Sequence, residues 1–234
     1  MPFDGFFTHA MIHELAPLLE TGRISRLDQP YPAELILTIR AHRHNHKLLL
    51  SANPTYPRMQ LTQIPFKNPD VPTKFAMTLR KYLSGALLSK IEQVENDRII
   101  KLTFDTRDEI GDAKGLFLYV EIMARHSNIT LVNPENGKIL DCIKHVGSDQ
   151  NRIRLLMPGA TWVMPPKQDR LNPYLPNQAY TDLVPKYSDT GDLAHALQQT
   201  YQGLSRPTAV AFAKKLQAGD NLPQAYQEFI QGFD

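Results

Sequence analysis

One cysteine, Cys142, in 234 residues excludes an intramolecular disulfide and points to a reducing compartment. Long apolar runs are missing as well. No stretch is long enough to span a bilayer, and the opening MPFDGFFTHAMIHEL has an acid at Asp4 and no basic region, unlike a signal peptide. The expectation is a cytoplasmic chain without a membrane partner. Net charge is scarce too: 26 Lys and Arg against 24 Asp and Glu leave +2. That excludes indiscriminate polyanion binding, so a nucleic-acid site must be local, built from a few basic residues among compensating acids. Catalytic signatures are absent: there is no Gly-rich phosphate loop, Gly-x-Ser-x-Gly elbow or His-Glu-x-x-His pattern. No residues assemble a nucleophile with its base. Accordingly no catalytic residue, no metal and no cofactor are expected.

What is present is a sequence with two textures. Hydrophobic residues make up 42%, enough for a core. Residues 8–20 carry Met11, Ile12, Leu15, Leu18 and Leu19 at helical spacing, with Thr8 as N-cap, Gly22 as stop and Pro17 inside the pattern. The period then changes to two, predicting strands at 23–29, 34–41, 47–52 and 59–63, with 42–46 as a hairpin loop. A second helix is expected at 73–83. Further strands follow at 87–94, 98–104, 116–123, 129–132 and 139–143, with turn chemistry at Asn96-Asp97 and 133–137. The fold class is therefore α+β: a mostly antiparallel β domain with two helices at 1–166. Prolines concentrate between 158 and 185, so 167–186 reads as a linker. Residues 187–234 read as a helical segment with helices at 193–201, 207–216 and 223–229, Ser205 and Asn221 being N-cap candidates.

Several clusters admit two readings. QGLSRPTAVAFAKKL is a helix, a Gly203-Leu204-Ser205 corner and a second helix. Such a corner presents free N–H groups and a helix-dipole end to a phosphate, with Arg206 adding charge, although a corner simply capped by Ser205 is commoner. Asn96-Asp97-Arg98 is a turn by composition, or an acid and a guanidinium at a loop tip able to bond RNA. In residues 119–128, Glu121 and Arg125 share a face and read as a pair; Arg125, His126, Ser127 and Asn128 make a polar turn that could equally face RNA. His42, His44 and His46 alternate, but Arg40, Arg43 and Lys47 crowd them and no carboxylate or thiol is nearby, which favours a mildly basic hairpin over a metal site. The acids of 105–112 lack EF-hand spacing and read as a solvated tip.

Taken together, six segments resemble the N-terminal domain of the NFACT family of ribosome quality-control proteins, also labelled fibronectin-binding protein A-like. They are the opening Phe3-Asp4-Gly5-Phe6-Phe7; NHKLLLSA at 45–52 with Arg58 following; LRKYL at 79–83; Asp97-Arg98-Ile99-Ile100; EIMARHSN at 121–128; and Ile143-Lys144-His145. The resemblance implies a fold similar to the N-terminal part of formamidopyrimidine-DNA glycosylases, followed by a helix-hairpin-helix. It implies a factor that holds tRNA on a large ribosomal subunit carrying stalled peptidyl-tRNA and directs untemplated C-terminal tailing, with alanine tRNA in bacteria. Asp4, Asp97 and Arg98 match family positions implicated in tRNA function. Glu121, Arg125, His126 and Asn128 join them as tRNA-binding candidates, and Lys47, Arg58, Arg80, Ser205 and Arg206 as phosphate contacts. Ala124 stands where the family often has glycine and Ala76 where it often has cysteine. The family's coiled coil and second RNA-contacting domain are missing from these residues. Two rival readings remain: a fibronectin-binding surface adhesin, and a glycosylase-like enzyme using the amine of Pro2, against which Phe3 stands where such enzymes need a glutamate.

Overall fold

The structure, a computed structural model, describes residues 3–234. The chain forms two compact units: a sheet unit of residues 14–92 and 99–166, and a helical unit of residues 3–13, 93–98 and 167–234 within the described range.

Nine antiparallel strands build the sheet unit: β1 (Arg23–Tyr31), β2 (Glu34–Ala41), β3 (His44–Ser51), β4 (Arg58–Leu61), β5 (Leu87–Gln93), β6 (Ile99–Arg107), β7 (Ala113–Glu121), β8 (Asn128–Asn133) and β9 (Lys138–Cys142). Their order is β4-β3-β2-β1-β5-β6-β7-β8-β9. Two meanders therefore meet through β1 and β5, and only this join needs a long connection. That connection contains α2 (Lys74–Leu83), capped by Thr73, whose hydroxyl accepts the Ala76 N–H, and burying Phe75, Ala76, Leu79 and Leu83. Ile24, Leu27, Leu35, Leu37, Leu48, Leu50, Leu102, Leu118 and Leu131 are each at most 2% exposed and form the sheet's core.

The expected hairpin loop at 42–46 is a two-residue turn. The β2–β3 ladder runs without a break to Ala41↔His44, leaving His42 and Arg43 at φ +48° and +69°. A two-residue hairpin of this twist requires left-handed backbone at both positions. The register demanded by buried Leu48, Leu49 and Leu50 outweighs the poor fit of histidine and arginine to that region.

The first helix, α1 (Gly5–Leu19), begins before the expected cap at Thr8. Asp4 is the cap: its Oδ1 accepts the Phe7 N–H at 2.9 Å, and the Thr8 hydroxyl donates back to the Asp4 carbonyl. Pro17 lies inside the helix, which still closes its Glu20 N–H to Ala16 O bond at 2.9 Å. α1 gives its residues up to His13 to the helical unit.

Four helices complete that unit: α3 (Ala179–Lys186), α4 (Thr190–Thr200), α5 (Arg206–Ala218) and α6 (Leu222–Gln231). They close over Phe6, Leu193, Leu197, Tyr201, Phe212 and Tyr226. The stretch expected to be a linker is folded here. α3 occupies its second half, the Tyr226 hydroxyl donates to Pro173 O at 2.5 Å, and the Tyr201 hydroxyl donates to Asn177 Oδ1 at 2.6 Å. Burial pushes the pKa of Tyr201 and Tyr226 up, so both hydroxyls stay protonated as donors.

Candidate nucleic-acid interface

In the helical unit, three segments far apart in sequence meet at one point. The Gly5 N–H donates to Gly203 O at 3.0 Å, and the Asn96 side chain donates to Gln202 O at 2.9 Å. A Cβ at Gly203 would stand 2.2 Å from Asn96 O, and one at Gly5 only 1.9 Å from it. Gly203 also has φ +78°, so both the close approach and the backbone demand glycine. Asp4 Oδ2 completes the junction by accepting the Ser205 N–H at 3.1 Å and the Thr208 hydroxyl at 2.6 Å.

One buried carboxylate thus caps α1 and sits on the N-terminus of α5. Two helix-dipole positive ends stabilise its charge, and among the described residues no basic side chain pairs with it. Two of the N–H groups expected to be free at this corner are in use. Ser205's N–H is taken by Asp4, and its hydroxyl accepts from Thr208 N as the α5 cap. Of the corner residues Arg206 is the exposed charge.

Next to the junction, the turn after β5 carries Asp97 and Arg98. Asn96 is fully buried, Asp97 half-buried and Arg98 exposed. The Gln93 side chain donates to Gly5 O at 2.8 Å and Asp97 O at 2.9 Å, and Asp97 Oδ1 accepts the Arg98 N–H at 2.7 Å. Glu95, at φ +53°, accepts from Lys167 at 2.6 Å and Gln202 at 2.7 Å, which hold its pKa below the usual carboxylate value. The tip is therefore rigidly mounted. Among the described residues the Arg98 guanidinium forms no ion pair.

In the sheet unit the 121–128 segment separates into a buried and an exposed part. Glu121 pairs with Arg154, not with Arg125: Arg154 Nη1 lies 2.7 Å from Glu121 Oε1, and both residues are buried. Arg154 also donates to Val163 O at 2.7 Å and lies over Trp162, which stacks on Tyr119. Asn128 is buried and imitates a strand backbone, donating to Lys144 O at 2.9 Å and accepting Lys144 N–H at 3.2 Å. Between them Ala124 adopts φ +48° and opens a 3₁₀ turn, Ala124–His126, that exposes Arg125 and His126 with their side chains 3.2 Å apart. Arg125 and His126 are thus accessible to a ligand, whereas Glu121 and Asn128 are consumed in shaping their turn. The positive φ also accounts for a glycine being acceptable at position 124.

The phosphate candidates differ likewise. Lys47 is exposed, its ammonium 5.4 Å from the Phe66 ring. Arg58 donates to Tyr56 O and lies 3.8 Å from Glu34. Arg80 donates to Leu27 O and faces buried Asp28 at 3.5 Å, a structural pairing. His44 and His46 lie with ring centroids 6.4 Å apart. Two other groups bring metal-type ligand atoms within 4.8 Å among the described residues: His9, His13 and Asp234, and Asp141, Cys142 and His145. In the second, the Cys142 thiol points at Leu156 O at 3.1 Å, and burial, with the Asp141 and Glu121 charges, pushes its pKa up to about 12. Sequence reasoning missed Asn96, Gly203 and Arg154 as organising residues; the turn signal at 96–97 and the corner glycine were the only hints.

A family model described as NFACT N-terminal and middle domains matches residues 4–232. The chain belongs to the NFACT family. This NFACT domain is 48% identical over 210 residues to Rqc2 homolog RqcH of Streptococcus pneumoniae, covering 89% of this chain and 38% of that protein. Rqc2 homolog RqcH of Bacillus subtilis is 44% identical over 173 residues, 74% of this chain and 30% of the relative. The chain therefore spans less than half the length of the curated relatives it matches. Among solved structures, the N-terminal part of the fibronectin/fibrinogen-binding protein of Streptococcus suis superposes with a TM-score of 0.89 at 45% identity, over 98% of this chain and 85% of that one. The N-terminal domain of fibronectin-binding protein PavA of Streptococcus pneumoniae gives 0.85 at 46% identity, over 92% and 80%. Among the described residues of this NFACT domain, no helix is long and apolar enough to cross a membrane.

Proposed function

We propose that this domain is the N-terminal tRNA-binding module of a cytoplasmic ribosome quality-control factor. Such a factor binds the large ribosomal subunit with its stalled peptidyl-tRNA and recruits tRNA, alanine tRNA in a bacterial member, for untemplated C-terminal tailing. The observation that carries this reading is the match along most of the chain to proteins named RqcH. Peptide-bond chemistry belongs to the ribosome, and the domain positions tRNA. In this reading the sheet unit corresponds to the formamidopyrimidine-DNA glycosylase N-terminal fold and the α4–α5 corner to a helix-hairpin-helix. Pro2, the nucleophile of the enzyme alternative, lies outside the described residues; Phe3 in place of a glutamate speaks against that alternative.

The geometry supports a division of labour. Arg98 and Arg125 are exposed without an ion pair among the described residues, so each offers an unneutralised guanidinium to phosphate or base edges. Asp4, Glu121 and Asn128 support them from within. At the α5 corner, where Asp4 already accepts the Ser205 N–H, exposed Arg206 offers phosphate a charge. The test is Asp97→Ala with Arg98→Ala in the full-length parent, scored by sequencing of co-purified RNA and by C-terminal tailing. Loss of tRNA and of tailing is expected; normal tailing would overturn the assignment.

A second reading, fibronectin binding, is favoured by the structural relatives described as fibronectin-binding. Intact-cell fractionation separates the two: surface exposure with fibronectin capture supports the adhesin, ribosome co-sedimentation the tRNA module.

A further inference from the structure

We infer that His9, His13 and Asp234 form a binding site for a divalent transition-metal ion of the zinc type in the helical unit. His9 and His13 are four residues apart on α1 and so project from one face, with ring centroids 4.3 Å apart. His9 Nε2 lies 2.7 Å and His13 Nε2 3.9 Å from the same atom, Asp234 Oδ1.

The tautomer at His13 follows from its other nitrogen. His13 Nδ1 is 3.2 Å from the His9 carbonyl oxygen, which can only accept, so Nδ1 carries the hydrogen. In the neutral ring Nε2 then holds its lone pair towards the carboxylate. A ring N–H donated to a backbone carbonyl is the arrangement that orients metal-ligating histidines. The His9 ring is fixed by stacking on Tyr174 at 4.0 Å and 11°.

A simple histidine–carboxylate hydrogen bond uses one ring and leaves the second lone pair facing an anion. A dication between the three atoms satisfies both rings and the carboxylate at once. With bonds of about 2.0–2.2 Å, a tetrahedral ion sets its ligands roughly 3.4 Å apart. The His9 contact must open, and the His13 contact close, by about half an ångström or slightly more. His13 and Asp234 side chains are each 50% exposed, so the fourth position faces solvent and changes of this size meet little packing resistance. Two imidazoles exclude calcium and magnesium, which take oxygen ligands. The other cluster, at Asp141, Cys142 and His145, offers no competition: its thiol is protonated and directed at Leu156 O, and Asp141 Oδ1 already accepts from Cys142 N–H at 2.8 Å and approaches His145 Nε2 at 2.9 Å.

The test is titration of the untagged chain with zinc chloride by calorimetry, with cobalt(II) absorption reporting geometry. The expected result is one ion per chain, a cobalt spectrum of low coordination number and a melting temperature that rises with zinc. His13→Ala and Asp234→Asn, both at half-exposed positions, should each weaken binding by more than the roughly 10–100-fold that loss of an outer-shell partner brings. Circular dichroism confirms that the variants are folded, and the pair His44→Ala and His46→Ala should leave binding unchanged. Absence of stoichiometric binding, or binding that survives His13→Ala, would overturn the site.

Discussion

Replacing Asp4 with alanine separates a folding role from an RNA-contacting one. The buried carboxylate accepts three hydrogen bonds, from Phe7 N–H, Ser205 N–H and the Thr208 hydroxyl. Bonds to a charged group contribute about 1.5–3 kcal/mol each, or roughly 4.5–9 in gross terms. Against this, alanine relieves the desolvation of a buried charge, a cost of several kcal/mol. What remains is set by the groups left behind. Two donors at the head of α5, the part-buried Ser205 N–H and the buried Thr208 hydroxyl, lose their acceptor at about 1–3 kcal/mol each, and α1 loses its cap at about 0.5–2 kcal/mol. The net expectation is a loss of about 3–5 kcal/mol, a fall in melting temperature of roughly 6–20 °C for a chain of this size. Asp4→Asn retains one acceptor oxygen and should lose less, about 1–2 kcal/mol. Urea unfolding followed by circular dichroism reads the stability, and tRNA retention by the folded fraction is measured beside it. A stability change below about 1 kcal/mol for Asp4→Ala, with tRNA binding lost, would refute the reasoning and make Asp4 a direct contact.

Asp97→Ala with Arg98→Ala should shift stability by no more than about 0.5 kcal/mol per site, because both lie at a solvated turn; a thermal melt checks this. Arg154→Met removes the buried cation paired with Glu121 and should cost about 3–5 kcal/mol in urea unfolding, most of it recovered by adding Glu121→Gln. Equal stability of the single and double variants would show that the pair does not act as one. Gly203→Ala forces a Cβ to within 2.2 Å of Asn96 O at φ +78°, so a loss above about 2 kcal/mol is expected, and a neutral result would contradict the close approach at this corner. Cys142, buried and with its pKa raised to about 12, should resist iodoacetamide at pH 8 in the native protein and react once unfolded; rapid native labelling would count against its burial.

Much of the element pattern was legible because it is local. Side chains alternate with period two along a strand and near 3.6 along a helix, so the apolar spacing of β2, β3, β6 and α2 identifies them from a short window. Caps are local for the same reason: Ser205 and Asn221, both read as cap candidates, each accept an N–H three residues on. Family membership was legible through the order of six short segments. The order of the nine strands, and the join of β1 to β5, depended on closing loops that no window contains.

The candidate site was decided almost wholly at that longer range. Asp4 is 201 residues from Ser205, and only packing makes one carboxylate serve two helix ends. Glu121 had a cation four residues away in Arg125, but a buried carboxylate needs a buried partner, and Arg154, 33 residues on and sandwiched against Trp162, supplies it. The proline-rich stretch gave no periodic signal; the hydroxyls of Tyr201, just past α4, and of Tyr226 on α6 help hold part of it in place. The sequence by itself determined which segments bury a face and which family they spell. Tertiary structure alone decided which polar residues spend their hydrogen bonds inside and which, like Arg98 and Arg125, stay exposed without an ion pair among the described residues.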